Sequence, residues 1–88
     1  MSLYAAIDNV NDKKTFLVFV ELLLKDRSEA DNKSMTLDGF QGDWANNDIT
    51  GFLEASLAWA KDSNFLEDTM NNPWQEFANF LLLGKLYE

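Results

Sequence analysis

Carboxylates are the only abundant reactive side chains in this sequence. Fifteen Asp and Glu stand against seven Lys and Arg among 88 residues, with no His and no Cys. Without imidazole, the usual general base near neutral pH is missing. Without a thiol there is neither a cysteine nucleophile nor a thiolate zinc site. Carboxylates alone can hold hard cations or share acid and base work, but both need particular spacings. A calcium loop opened at Asp31 puts Thr36 where the sharp-turn glycine belongs. Opened at Asp38, it puts Phe40 and Gly42 at ligand positions and Ile49 where the bidentate Glu belongs. Asp48 and Glu54 are six residues apart, which does not bring two side chains onto one helix face. The serines have no nucleophile-elbow context, and no glycine-rich phosphate loop is present. The expectation is therefore no enzyme, no cofactor and no metal.

The placement of the charge is more informative than its total of −8. Residues 1–37 carry six acids and five bases, net −1, whereas residues 38–76 carry eight acids and Lys61 alone, net −7. Such a balance argues against the phosphate backbone of nucleic acid and against anionic membrane. It favours a basic protein partner met by Asp38, Asp43, Asp48, Glu54 and Asp62, with Trp44 as an aromatic anchor among them. The stretch Trp44-Ala45-Asn46 has a second reading: the indole packs on the core, Asn46 bonds nearby backbone and Asp48 caps the helix that follows.

These residues must be positioned by helices, since no convincing strand alternation occurs. Thr15 to Arg27 places Phe16, Phe19, Val20, Leu23 and Leu24 at helical spacing behind a cap at Asn11 or Asp12. Ile49 to about Phe65 follows an N-cap at Asp48 and carries Ile49, Phe52, Leu53, Ser56, Leu57 and Ala60 on one face, Ser56 letting a neighbouring helix come close. Gly51, early in that helix, either permits close backbone approach or weakens its start. Asn72 as N-cap, Pro73 at N1 and Gln75 at a capping-box spacing start a helix that runs nearly to the end. Residues 3–9 add a possible N-terminal turn of helix. The link from Ser28 to Asn47 contains Met35, Leu37, Phe40 and Trp44, so it is expected to pack onto the domain; the connection from Asp62 to Asn72 is shorter and acidic. The predicted architecture is a single all-α domain over residues 1–88, a compact three-helix fold with a long packed first connection.

Several pieces together resemble a family of small, mainly bacterial proteins classed as a domain of unknown function: W-A-N at 44–46, FLEA at 52–55, AW at 58–59, Asp62, W-x-x-F-A-x-x-L at 74–81 and the terminal YE. The likeness runs from about Val10 to Glu88. It implies a compact, mostly helical fold and supplies no catalytic residues. The functional expectation is a non-catalytic interaction domain with an acidic surface that captures a basic protein, as a small immunity protein neutralises a toxin. The alternative is a homodimer formed through the apolar excess of the last helix, Phe80, Leu83, Leu86 and Tyr87; a carboxylate-based cation-binding or enzymatic domain is the remaining one. No run reaches about 18 apolar residues, and the N-terminus is not built as a signal peptide, so a cytoplasmic location is expected.

Overall fold

The computed structural model describes residues 2–67 and 72–88. Residues 68–71, in the acidic second connection, lie outside the described residues. Among the described residues the fold is all-α with four helices, α1 (Leu3–Ile7), α2 (Lys13–Ala30), α3 (Ile49–Asp62) and α4 (Pro73–Leu86). The predicted three-helix count is corrected by α1. This is a helix of five residues, nucleated by the Ser2 hydroxyl, which accepts from Ala5 N at 3.1 Å, and held by burial of Leu3 and Ala6.

Each long helix starts at a side chain that satisfies amides left open in the first turn. Asp12 and Thr15 form a reciprocal capping box, which starts α2 two residues before the predicted Thr15. Asp48 Oδ1 accepts from Gly51 N at 2.6 Å. A Cβ at Gly51 would sit 3.0 Å from that same oxygen, so the glycine lets the chain wind tightly over its cap. Asn72 accepts from the amides of Trp74 and Gln75. The predicted partner in that cap, the Gln75 side chain, goes elsewhere: its Nε2 donates to Ile7 O at 2.9 Å, while Asn72 Nδ2 donates to Val10 O at 2.5 Å. These two bonds occupy carbonyls at and just beyond the end of α1 and fix it across the start of α4.

α4 is the central element. It packs on α1, α2 and α3, whereas no Cα of α2 comes within 8 Å of one in α3. The core between α1, α2 and α4 holds Leu3, Ala6, Val10, Phe19, Leu23, Ala78 and Leu82, with Trp44 entering from the long link. The α3–α4 contact depends on small residues instead. Ser56 is fully buried and its hydroxyl donates to Phe80 O at 2.7 Å. A Cβ at Gly84 would lie 2.6 Å from Ser56 Oγ and 2.7 Å from Phe52 Cε2. The two helices thus cross at a separation that no larger residue at position 84 permits.

α3 ends at Asp62 rather than at Phe65, because the chain turns there and Phe65 packs back on α4, its ring centroid 5.3 Å from that of Phe80 and 6.0 Å from that of Phe77. The long link is packed only in its second half. Trp44 is buried and Phe40 half-buried, while Met35 and Leu37 project from a turn closed by Thr36 and Gly39. Gly39 and Gly42 take positive φ there, where a side chain would be strained.

Candidate functional site

Trp44 does not lie on an open surface. It is 4% exposed, and its indole Nε1 donates to Asp26 Oδ2 at 2.8 Å. Its ring stacks near Phe52 at 6.2 Å, with the Arg27 guanidinium 5.0 Å and the Lys85 ammonium 5.6 Å from its centroid. The two following residues hold the end of α4. Ala45 N donates to Lys85 O at 3.0 Å, and Asn46 Nδ2 donates to both Gly84 O at 3.0 Å and Tyr87 O at 2.9 Å. Terminal helix carbonyls lack partners within their own helix, and Trp44-Ala45-Asn46 supplies donors to them from a distant part of the chain. The second reading of this stretch, as a loop anchor, describes what these residues do in the fold.

Lys85 completes the arrangement. It is fully buried, with Nζ donating to Asp26 Oδ2 at 2.7 Å and Asp43 Oδ2 at 3.0 Å and lying 5.2 Å from the Tyr4 ring centroid. Burial lowers its pKa, but hydrogen bonds with Asp26, Tyr4 and Asp43 and the charge of Asp26 outweigh that, so the net shift is upward and the ammonium stays charged. Burial raises the Asp43 carboxyl, while the hydrogen bond and charge of Lys85 lower it by more, leaving it below the usual carboxylate range. A lysine held this way is a structural cation, not a nucleophile, which would need a depressed pKa.

The acids expected to ring Trp44 are engaged separately. Asp43 turns to Lys85, Asp48 caps α3, and Asp38 is exposed in the turn between Thr36 and Gly39. Glu54 and Asp62 share a shallow depression on the outer side of α3 with Leu57, Ala58 and Lys61. Asp62 also accepts from the Tyr87 hydroxyl at 2.6 Å, which raises the phenol pKa and ties the end of the chain to α3. Among the described residues, no group of three or more carboxylates is arranged to hold a metal ion, and no helix is long and apolar enough to cross a membrane.

The surplus apolar surface is displaced from where the composition of α4 suggested. Phe80, Leu83, Leu86 and Tyr87 are half-buried. The most exposed apolar side chains of the helices lie on the two flanking helices, although Phe77 of α4 is also exposed: Leu24 of α2 is 66% exposed and Ile49 of α3 is 78% exposed, and both border a groove of about 470 Å³. It is lined by Val20 and Leu23 of α2, Phe52 of α3, Leu81 of α4, and Trp44 and Asn46 of the long link. Leu53 and Leu57 continue the row begun by Ile49 along α3, also exposed. Sequence reasoning placed these residues on an inward face. The signal for this exposed surface was the row 49, 53, 57, three large aliphatic residues one helical turn apart, offset from the Phe52 and Ser56 row; of the three, Ile49 borders the groove.

Residues 12–88 match the model of DUF7660, a family of unknown function. The chain belongs to this family. The matched span begins at Asp12, the cap of α2, so the capped helices, the α4 anchor and the groove all lie within it, while α1 precedes it. No curated protein and no solved structure matches the chain.

Proposed function

We propose that this protein is a non-catalytic interaction domain that binds a basic protein partner. The observation that carries this reading is the open apolar groove between α2 and α3, bordered by Asp31 and Asp48, in a chain of net charge −8. Large aliphatic side chains left exposed together mark surfaces that contact another molecule. Surface carboxylates around them steer a cationic partner and repel an anionic one. Asp38 and Glu54, both exposed, add to that field without serving the fold. The groups with the most perturbed environments, Lys85, Asp43 and Tyr87, hold helices in place, which supports binding over catalysis. The mode of action resembles acidic capture of the kind by which small immunity proteins neutralise toxins.

A homodimeric scaffold is the alternative. It would form through the last helix, where Phe80, Leu83, Leu86 and Tyr87 are half-buried and Phe77 is exposed, joined by the exposed aliphatic residues of α2 and α3.

The test is affinity capture on the immobilised protein at low salt, followed by a salt gradient, beside a variant carrying Asp38→Asn and Glu54→Gln. Screening shortens the reach of surface charge to about 3 Å at 1 M salt. The wild type should retain basic polypeptides that elute well before about 0.5 M salt, and the variant should release them earlier. Retention of neutral or acidic proteins indifferent to salt would overturn the reading.

A further inference from the structure

We infer that the groove between α2 and α3 receives an amphipathic helix of a partner chain, apolar on its buried side and bearing Lys or Arg along its flanks. This rests on the reading of the partner as basic and adds the element by which it binds.

The vacancy is bounded by helices. α2 and α3 both pack on α4 while no Cα of one comes within 8 Å of a Cα of the other, so α4 lies between two helical walls. α3 and α4 each have 14 residues, about 21 Å at 1.5 Å per residue. A helix of about four turns laid beside Leu24, Ile49 and Leu81 would join α2, α3 and α4 as a further long helix.

The polar inventory of the groove excludes an extended segment. A buried strand or coil needs partners for its own N–H and C=O groups, and strand-like docking takes them from a sheet edge. The described residues offer only isolated bridges at Met35, Gln41 and Trp44. The amide and guanidinium donors of the groove, which the carbonyls of an extended segment would need, are already engaged. Asn46 Nδ2 serves Gly84 O and Tyr87 O; Asn47 Nδ2 donates to Gly39 O at 2.7 Å and its Oδ1 accepts from Arg27 Nη1 at 3.0 Å. Arg27 is spread over Asp31, Gln41 and Asn47. A helix satisfies its backbone internally and needs only apolar contact from its host.

Charge selects the partner class. The ionisable residues lining the groove are Asp31, Asp48 and Arg27, net −1, and Arg27 is paired with Asp31 at 2.6 Å. Asp31 and Asp48 each accept through Oδ1 alone, from Arg27 and from Gly51 N, leaving Oδ2 of each for a cation. A second copy of the chain would bring another −8 to the same surface, and self-repulsion of that size works against it. A helix with flanking Lys or Arg gains from the same field.

The test is an amide-resolved NMR titration of the full chain with a synthetic peptide of about 16 residues, about four helical turns, built of Leu at amphipathic spacing and Lys elsewhere. Two controls accompany it: the same composition in scrambled order, and the same pattern with Glu for Lys. The periodic Lys peptide should bind about tenfold or more tightly than either control, with shifts concentrated in Val20–Asp31 and Asp48–Phe52, and Leu24→Gln with Ile49→Gln should weaken it about tenfold. Both substituted residues are exposed, and the wild-type shift map decides the location independently of the variant. Shifts confined to the Glu54 and Asp62 side of α3 would overturn the groove assignment and leave the basic-partner reading standing. Equal binding of the Glu peptide would overturn the charge selection. A wild-type dimer dispersed by the double substitution would make a second copy the occupant and overturn the inference. Absence of binding by the Lys peptide would overturn the inference too, and if no basic polypeptide is captured either, the functional reading falls with it.

Discussion

Replacing Asp26 by asparagine keeps the outline of the side chain and removes its charge, which isolates what the carboxylate does for Trp44 and Lys85. Asp26 Oδ2 accepts from Trp44 Nε1 at 2.8 Å and from Lys85 Nζ at 2.7 Å. The ammonium it balances has no exposed surface, and the other counter-ion, Asp43, has 64% of its side chain exposed. Removing one partner of a buried ion pair costs about 3 to 5 kcal/mol, because the remaining charge is desolvated without compensation. Asp26 is itself 30% exposed and Asp43 remains, so the expected loss for Asp26→Asn is about 2 to 3 kcal/mol. At about 4 to 8 °C per kcal/mol for a domain of this size, Tm should fall by about 10 to 20 °C. Urea unfolding should show a lower midpoint with an unchanged m-value. Asp43→Asn is the internal control and should cost about 1 kcal/mol or less, as screened surface pairs do. Adding Lys85→Met to Asp26→Asn should recover part of the loss, since no buried ammonium is then left alone. If Asp26→Asn stays within about 1 kcal/mol of wild type, or Asp43→Asn costs as much, Lys85 is not held in the way described.

Gly84→Ala should destabilise by about 1 to 3 kcal/mol in urea unfolding, because its Cβ meets Ser56 and Phe52 at less than contact distance and α3 must move. Asn46→Ala removes the donor to Gly84 O and Tyr87 O and should cost about 1 to 2 kcal/mol, with faster amide exchange confined first to the last turn of α4. Stability should fall at both ends of the pH scale. Asp43, through Lys85, and Asp12, through the Thr15 amide and hydroxyl, have folded pKa values below the ordinary one, so their contribution is full above about pH 4 and disappears as pH drops through the folded values. Lys85 and Tyr87 have raised folded values, so theirs is full below about pH 10 and disappears as pH rises through them. Urea midpoints across pH should show a plateau between these limits, and Tyr87→Phe should flatten part of the alkaline decline.

The local parts of the fold were legible because they are governed by short-range rules. Asp48 and Asn72 cap the helices they precede, and Pro73 occupies the first turn, where its missing N–H costs nothing. Ser56 was readable as a point of close approach because a small residue interrupts an apolar row. The order of packing was not legible. α4 is apolar around most of its circumference, the mark of a helix enclosed by others, and the same composition fits a helix that dimerises. Deciding between the two requires knowing that α1, α2 and α3 all pack on it. Lys85 gave no sequence signal. A lysine in the last turn of a helix normally complements the dipole from solvent, and here it is buried only because Asp26, 59 residues away, and Asp43, 42 residues away, converge on it.

The residues on which the family resemblance rests converge in the same way. Trp44 and Asn46 secure the end of α4, Asp62 holds the hydroxyl of Tyr87, and Trp74 packs on Phe16 with ring centroids 5.7 Å apart. Each joins elements distant in sequence, so this set of residues describes a scaffold. What distinguishes one surface of that scaffold from another is how its apolar flanks are covered. On one side of α4, α1 buries Leu3 and Ala6 against α2 and α4 and is fixed by Gln75 and Asn72. Between α2 and α3, Leu24 and Ile49 border the groove, and among the described residues no further helix fills it. The five-residue α1 covers part of the first flank. The second, bordered by carboxylates and lined by aliphatic side chains, is where this domain can accept a helix from elsewhere.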